Sequence, residues 1–280
     1  MRMLDVTEVT KNIKEMCIDA NHFLSKDMKC AIRKATDNEE SPLGRQILKQ
    51  LQENMKIASE DMIPICQDTG MAVIFMELGQ DVHFQGGSLE EAIQEGVRQG
   101  YAEGFLRKSV VKDPVFRENT GDNTPAVVHY EIVPGDEVRI TVAPKGFGSE
   151  NMSRVFMLKP ADGIEGVKNA VLTAVKDAGP NACPPMVVGV GVGGTFEKCA
   201  LMAKKALTRE VDRRSEIPYV RALEQELLQK INCSGIGPGG LGGSTTALVV
   251  NIETYPTHIA GLPVAVNICC HVNRHVVRKL

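Results

Sequence analysis

The apolar residues Val6, Val9, Ile13, Met16, Cys17 and Ala20 recur at helical spacing, which predicts an amphipathic helix from Val6 to Leu24 with Cys17 on its buried face. Cys30, in "MKCAIRKA", reads as another core thiol, because free cysteine packs as a small hydrophobe. A second helix is expected from "SPLGRQILKQLQENM", where Ser41 can cap and Pro42 takes the first helical position. After "CQDTG", the run "MAVIFMEL" predicts a buried strand, and "SLEEAIQEGVRQGYAEG" predicts a helix opened by a Ser88 to Glu91 capping box.

"AVVHYEIVPGDEVRITVAP" alternates apolar and polar residues on both sides of Pro134 to Asp136 and predicts a β-hairpin, with His129 as a structural strand residue. A helix from Gly163 to Ala178 should stop at Gly179. The C-terminal part then offers a glycine-rich loop, a strand, a loop bearing His258 and a last strand ending in two cysteines. The expected fold is α+β, with helices packed on mixed, largely antiparallel sheets. No repeat or linker interrupts the chain, so residues 1–280 are expected to form a single domain.

Two stretches lack periodicity. Residues 105 to 124, "FLRKSVVKDPVFRENTGDNT", form a polar loop of a length that is uncommon in a compact domain unless it serves a site. In "KGFGSENMS", from Lys145 to Ser153, two glycines allow successive backbone N–H groups to face an anion beside the lysine, or simply a turn.

Composition narrows the possible functions. The 280 residues carry 32 basic and 35 acidic side chains, a formal charge of -3, with no basic stripe, so nucleic acid and anionic membrane are poor partners. No apolar run approaches a membrane span and the N-terminus has no signal-peptide core, which points to the cytoplasm. Eight cysteines in such a chain are expected as thiols, metal ligands or catalytic groups rather than disulfides, and no CxxC pair is present.

Cys66, Cys183 and Cys270 share a setting at the edge of apolar segments beside Pro, Gly or polar residues. Loop-borne thiols of this kind can build an iron–sulfur site with one iron free to act as a Lewis acid. Zinc in a structural subunit, with Cys269 or His271 as a fourth ligand, is a second reading. A third is nucleotide binding: Gly189, Gly191 and Gly194 in "GVGVGG" fit the dinucleotide fingerprint and would make the protein an NAD-linked oxidoreductase. That fingerprint needs a strand with an acidic residue about 20 positions on; "LTREVDRRSEIPYV" stands there instead.

The segments "CQDTG", "LRKSVV", "NTGDNTPA", "KGFGSENMS", "GPNACPPMVVGVGVGGT", "THIAGLPVAVN" and "CCHVNRH" occur in order from about residue 60 to 275. Together they resemble the alpha subunit of class I, iron–sulfur fumarases and L(+)-tartrate dehydratases. The resemblance implies a [4Fe-4S] cluster held by Cys66, Cys183 and Cys270, Cys270 being preferred over Cys269 by its place before "HVNRH". It implies Asp68 as proton carrier or as the partner that polarises a hydroxyl. Gln67, Arg107, His258 and the backbone near Gly148 would bind a dicarboxylate, malate or fumarate first and tartrate as the alternative. In the family a threonine of a second domain completes the acid–base pair. A beta subunit is therefore expected to close the site, in an α2β2 assembly sensitive to oxygen.

Overall fold

The computed structural model describes residues 2–280. β1 (Arg2–Asp5) leads into α1 (Val6–His22), α2 (Lys26–Asn38) and α3 (Pro42–Glu60). β2 (Met71–Gly79) and β3 (Val82–Gln85) precede α4 (Leu89–Glu103); β4 (Val127–Val133) and β5 (Val138–Lys145) follow the long polar loop. After the one-turn α5 (Phe147–Glu150) come β6 (Arg154–Leu158), α6 (Gly163–Ala178), β7 (Met186–Gly193), α7 (Phe196–Ala206) and α8 (Pro218–Asn232). β8 (Ala247–Tyr255), β9 (Leu262–Cys269) and β10 (Val276–Lys279) complete the order. The fold is α+β with mixed sheets. Its contacts divide the chain into two compact units, one comprising residues up to Leu24, Met55–Phe147 and Arg274–Leu280, the other Ser25–Asn54 and Gly148–Asn273.

The first unit is built on a sheet in the order β10-β5-β2-β4. Asp5 caps α1 by accepting the Thr7 N–H at 2.9 Å, and the predicted apolar stripe of that helix, Cys17 included, is buried. It packs with α4 and the inward positions of the sheet around Ile13, Ile74, Ile93 and Ile140, all fully buried, each worth roughly 2 kcal/mol in apolar transfer. Ser88 caps α4 by accepting the Glu91 N–H, which is the serine's half of the expected capping box.

The β-hairpin expected around Pro134 to Asp136 does not form. Both strands exist, but β2 lies between them, parallel to β4 and antiparallel to β5. The connecting loop crosses the end of β2, where Gly79, Gln80 and Asp81 donate their N–H groups to Glu137, Val133 and Gly135 carbonyls. A Cβ on Gly79 would stand 2.5 Å from the Gly135 oxygen, so the crossing depends on a glycine there. Local alternation shows that each strand has two faces; it says nothing about a third strand inserted between them.

The second unit has a sheet in the order β6-β9-β7-β8 between two helical layers. Val188 and Val190 of β7 face the core shared with α6 and α8, while Gly189 and Gly191 point to the other face, against α7. A Cβ on either glycine would lie 2.1 Å from a backbone oxygen of α7, that of Ala203 or Cys199. The Val/Gly alternation of "GVGVGG" is thus the two-faced pattern of one strand, with its flat side admitting a helix. α2 precedes the helix expected at Ser41, so that helix is the third; the Ser41 hydroxyl accepts the Gly44 N–H at 3.1 Å. Cys30 on α2 is only half-buried, contrary to its reading as a core thiol, because the buried face of this short helix is set by Met28, Ile32 and Thr36.

Candidate active site

In the first unit, the turn from Cys66 to Gly70 is fastened from several directions. The Ile65 N–H donates to the Asn21 carbonyl at 2.9 Å. The hydroxyl of fully buried Tyr101 lies 3.0 and 2.9 Å from the Thr69 and Gly70 carbonyls, and burial pushes its phenol well above the usual range. The Asp68 carboxylate is gripped at both ends, Oδ1 accepting the Gly70 N–H at 3.0 Å and Oδ2 the Phe147 N–H at 2.9 Å. The anion faced by a backbone N–H of "KGFGSENMS" is therefore the protein's own carboxylate. Gly146 makes room for it, since a Cβ there would stand 3.1 Å from Asp68 Oδ2.

Arg107 joins this turn through its main chain. The Thr69 hydroxyl donates to the Arg107 carbonyl at 2.9 Å, while the side chain is exposed and makes no ion pair among the described residues. Asn123, buried in the long loop at φ 64°, accepts the Ser109 and Val110 N–H groups and donates to the Gly70 carbonyl at 3.2 Å. One asparagine thus ties "LRKSVV" and "NTGDNTPA" to "CQDTG". At the same end of the loop Asp122 accepts from Thr124 and pairs with Arg98. Burial works against ionisation there, but these partners outweigh it and hold the carboxyl down at about 2. Gln67 is exposed and Asp68 half-buried on the turn.

In the second unit, Cys183 is exposed and lies in the left-handed region at φ 51°, a conformation that non-glycine residues adopt sparingly and often at working sites. Its carbonyl is held by the residue after Cys270: His271 Nδ1 lies 2.9 Å away, and a carbonyl can only accept, so Nδ1 carries the hydrogen. Burial lowers the His271 pKa, which favours the neutral ring. The glycine-rich loop backs the same region, as Gly239 donates its N–H to the Pro184 carbonyl at 2.8 Å. Buried Glu39 holds that loop in turn, accepting the Ser244 N–H at 2.8 Å. Cys269 ends β9 with its side chain buried; Cys270, one position on, is half-exposed. Gly148 is exposed on α5 with open space where a Cβ would be. His258 is exposed between β8 and β9, and its Nδ1 accepts the Ala260 N–H at 3.2 Å, leaving Nε2 to donate outward.

No disulfide joins any of the eight cysteines. Among the described residues, no three His, Cys, Asp or Glu side chains are gathered as metal ligands. In access and chemistry Cys66, Cys183 and Cys270 nonetheless suit an iron–sulfur group. They are half-exposed or exposed thiols outside helices and strands, whereas Cys17, Cys199 and Cys269 are sealed in the core; Cys30 and Cys233 are accessible too, so access permits this set without singling it out. No helix among the described residues is long and apolar enough to cross a membrane.

A family model described as fumarate hydratase (Fumerase) matches residues 10–279. The chain belongs to the fumarate hydratase family. It is 41% identical to the putative L(+)-tartrate dehydratase subunit alpha of Methanocaldococcus jannaschii, over 98% of both chains. It is 31% identical to the L(+)-tartrate dehydratase subunit alpha of Escherichia coli K12, over 96% of this chain and 88% of the relative. Within this fumarate hydratase family chain, the sequence reading passed over Tyr101, Asn123 and Arg274. All three support the "CQDTG" turn through its backbone carbonyls, Tyr101 at Thr69 and Gly70, Asn123 at Gly70 and the Arg274 guanidinium at Asp68, contacts that spacing does not encode. The signal available for Asn123 was its place in "NTGDNTPA", in a loop too long to be idle.

Proposed function

We propose that this protein is the alpha subunit of an iron–sulfur hydro-lyase that interconverts a four-carbon 2-hydroxy dicarboxylate and its dehydrated product. The observation that carries the proposal is the Cys66 to Gly70 turn, where a half-exposed thiol sits two residues from a carboxylate locked by two backbone N–H groups. Cys66, Cys183 and Cys270 would hold a [4Fe-4S] cluster. When bound, such a cluster supplies Lewis acidity that eases departure of the substrate hydroxyl.

The chain's own residues do the rest. Asp68 is fixed in orientation, and each of its oxygens keeps a second acceptor site, so it can take a proton from, or polarise, a hydroxyl placed beside it. Arg107, free of protein carboxylates among the described residues, offers a planar two-pronged donor to the far carboxylate. As negative charge grows on the carbon next to that carboxylate, the guanidinium stabilises it more than it stabilises the ground state. His258 Nε2, the Gln67 amide and the backbone at Gly148 add donors that fix the substrate's orientation.

A beta subunit completes the acid–base machinery in this reading, which the name "subunit alpha" borne by the relatives supports. Malate and fumarate are the first substrate pair. Tartrate and oxaloacetate form the second, favoured by the relatives' names. The test is to co-express the chain with a beta subunit under anaerobic conditions and follow fumarate absorbance from L-malate and oxaloacetate from L(+)-tartrate. Turnover of either supports a hydro-lyase and the faster one names the substrate. Turnover of neither by an iron-loaded complex contradicts the proposal, as does full activity of the alpha chain alone for the beta-subunit claim.

A further inference from the structure

We propose that Arg274 is a positioning residue that holds the turn carrying Cys66, Gln67 and Asp68 by gripping the main chain of Asp68; the proposal rests on reading Cys66 and Asp68 as site residues. Arg274 is only 5% exposed. Its Nη2 donates to the Asp68 carbonyl, and its Nε donates to the Pro144 carbonyl at 3.4 Å. Nη1 is buried and has no hydrogen-bond partner among the described residues. No carboxylate forms an ion pair with this guanidinium among those residues either.

A buried cation with no carboxylate in direct contact is costly, so it is a poor device for stability alone. Two neutral donors would satisfy the Asp68 and Pro144 carbonyls as well. A guanidinium behind this turn makes sense if the turn carries negative charge when working. Asp68 supplies one such charge, and a thiolate of Cys66 bound to an anionic cluster would supply another. The grip also has the right leverage. Pro144 and Lys145 lead through Gly146, whose missing side chain leaves room for the Asp68 carboxylate, to Phe147, whose N–H holds that carboxylate from the other side. Arg274 therefore fixes both the backbone of Asp68 and the strand end that orients its side chain, in the manner of outer residues that tune a metal ligand.

The experiment compares full-length Arg274→Met and Arg274→Lys with wild type in three measurements. These are amide hydrogen exchange at Gly70 and Phe147, alkylation of Cys66 relative to Cys233, and iron release to a chelator after anaerobic reconstitution. For Arg274→Met, iron release about tenfold faster or more is expected, the size seen when outer-sphere partners of metal ligands are removed. Faster exchange at those two amides and faster Cys66 alkylation should accompany it, while β7 exchanges as in wild type. Arg274→Lys should recover part of the loss by restoring the charge and one donor.

Wild-type values for all three in Arg274→Met would overturn the proposal. So would a uniform loss of protection across β2, β5 and β10, which marks a purely structural tether. Should Arg274→Met not fold, Arg274→Lys decides: iron release as slow as wild type's sinks the proposal, and faster release sustains it. If wild type takes up no iron, the cluster reading falls, and exchange and alkylation alone judge Arg274.

Discussion

Gly191→Ala separates a strand built for packing from a loop built for a nucleotide. The added Cβ would stand 2.1 Å from the Cys199 carbonyl oxygen and 2.9 Å from the Ala203 nitrogen, both backbone atoms of α7. No side chain can swing away, so α7 must shift or local pairing must open. Overpacking of a core costs about 1–3 kcal/mol, and with only backbone to yield the upper end applies. About 3 kcal/mol raises the open fraction of this helix–strand contact roughly a hundredfold. The fully buried Cys199 thiol, which donates to the Phe196 carbonyl on the same helix, reports that opening directly. Its modification by a disulfide reagent under native conditions should accelerate by about that factor when opening is fast and reversible. A Cys199 rate within about twofold of wild type, below the scatter expected of an ordinary surface change, would refute the steric argument. NAD titration of the wild type runs alongside; saturable binding would restore the nucleotide reading of "GVGVGG".

Arg107→Lys should raise the KM for the dicarboxylate by roughly 10- to 100-fold, because one ammonium cannot replace a bidentate guanidinium; steady-state kinetics of the alpha–beta complex measure it. Asp68→Asn should lower kcat by about 10²–10⁴ through loss of the proton acceptor. It should also free either the Gly70 or the Phe147 amide to exchange, since the Asn NH₂ cannot accept. Asp122, held near 2 by Thr124 and Arg98, has a folded pKa below its unfolded one, so its contribution is present above about 4 and lost as pH falls toward 2. The Tm gap between wild type and Asp122→Asn should be constant at neutral pH and close between pH 4 and 2; a gap that widens in acid contradicts the assignment. Burial pushes the Cys17 thiol up to about 12, so iodoacetamide at pH 8 should label exposed Cys183 and Cys233 first and leave Cys17 until the chain unfolds, as read by mass spectrometry.

Periodic elements were the most legible parts of this sequence. The helix of residues 163–178 and its glycine stop, the stripe of α1 and the buried run of β2 all follow from spacing and capping chemistry. Strand pairing was not legible, because the partner of β4 and β5 is β2, roughly 55 to 75 residues upstream, and alternation carries no record of distant insertions. The glycines of β7 misled for a related reason: a flat strand face and a phosphate loop use the same residue, and only the helix lying on it tells them apart. At the candidate site, the motifs offer residues with chemical handles, such as Cys66, Asp68 and Arg107, as proposals. The buried groups that hold their backbone could not, since Tyr101, Asn123 and Arg274 act through carbonyls that any residue supplies.

The most direct test of the central claim is an iron count with cluster absorbance after anaerobic reconstitution, for wild type and for Cys66→Ser, Cys183→Ser, Cys269→Ser and Cys270→Ser. The wild type should hold about four irons per chain, as a [4Fe-4S] site requires. Cys269→Ser should match it, and the other three should lose the cluster. A wild type that binds no iron, or uptake indifferent to Cys66, Cys183 and Cys270, would contradict the iron–sulfur hydro-lyase.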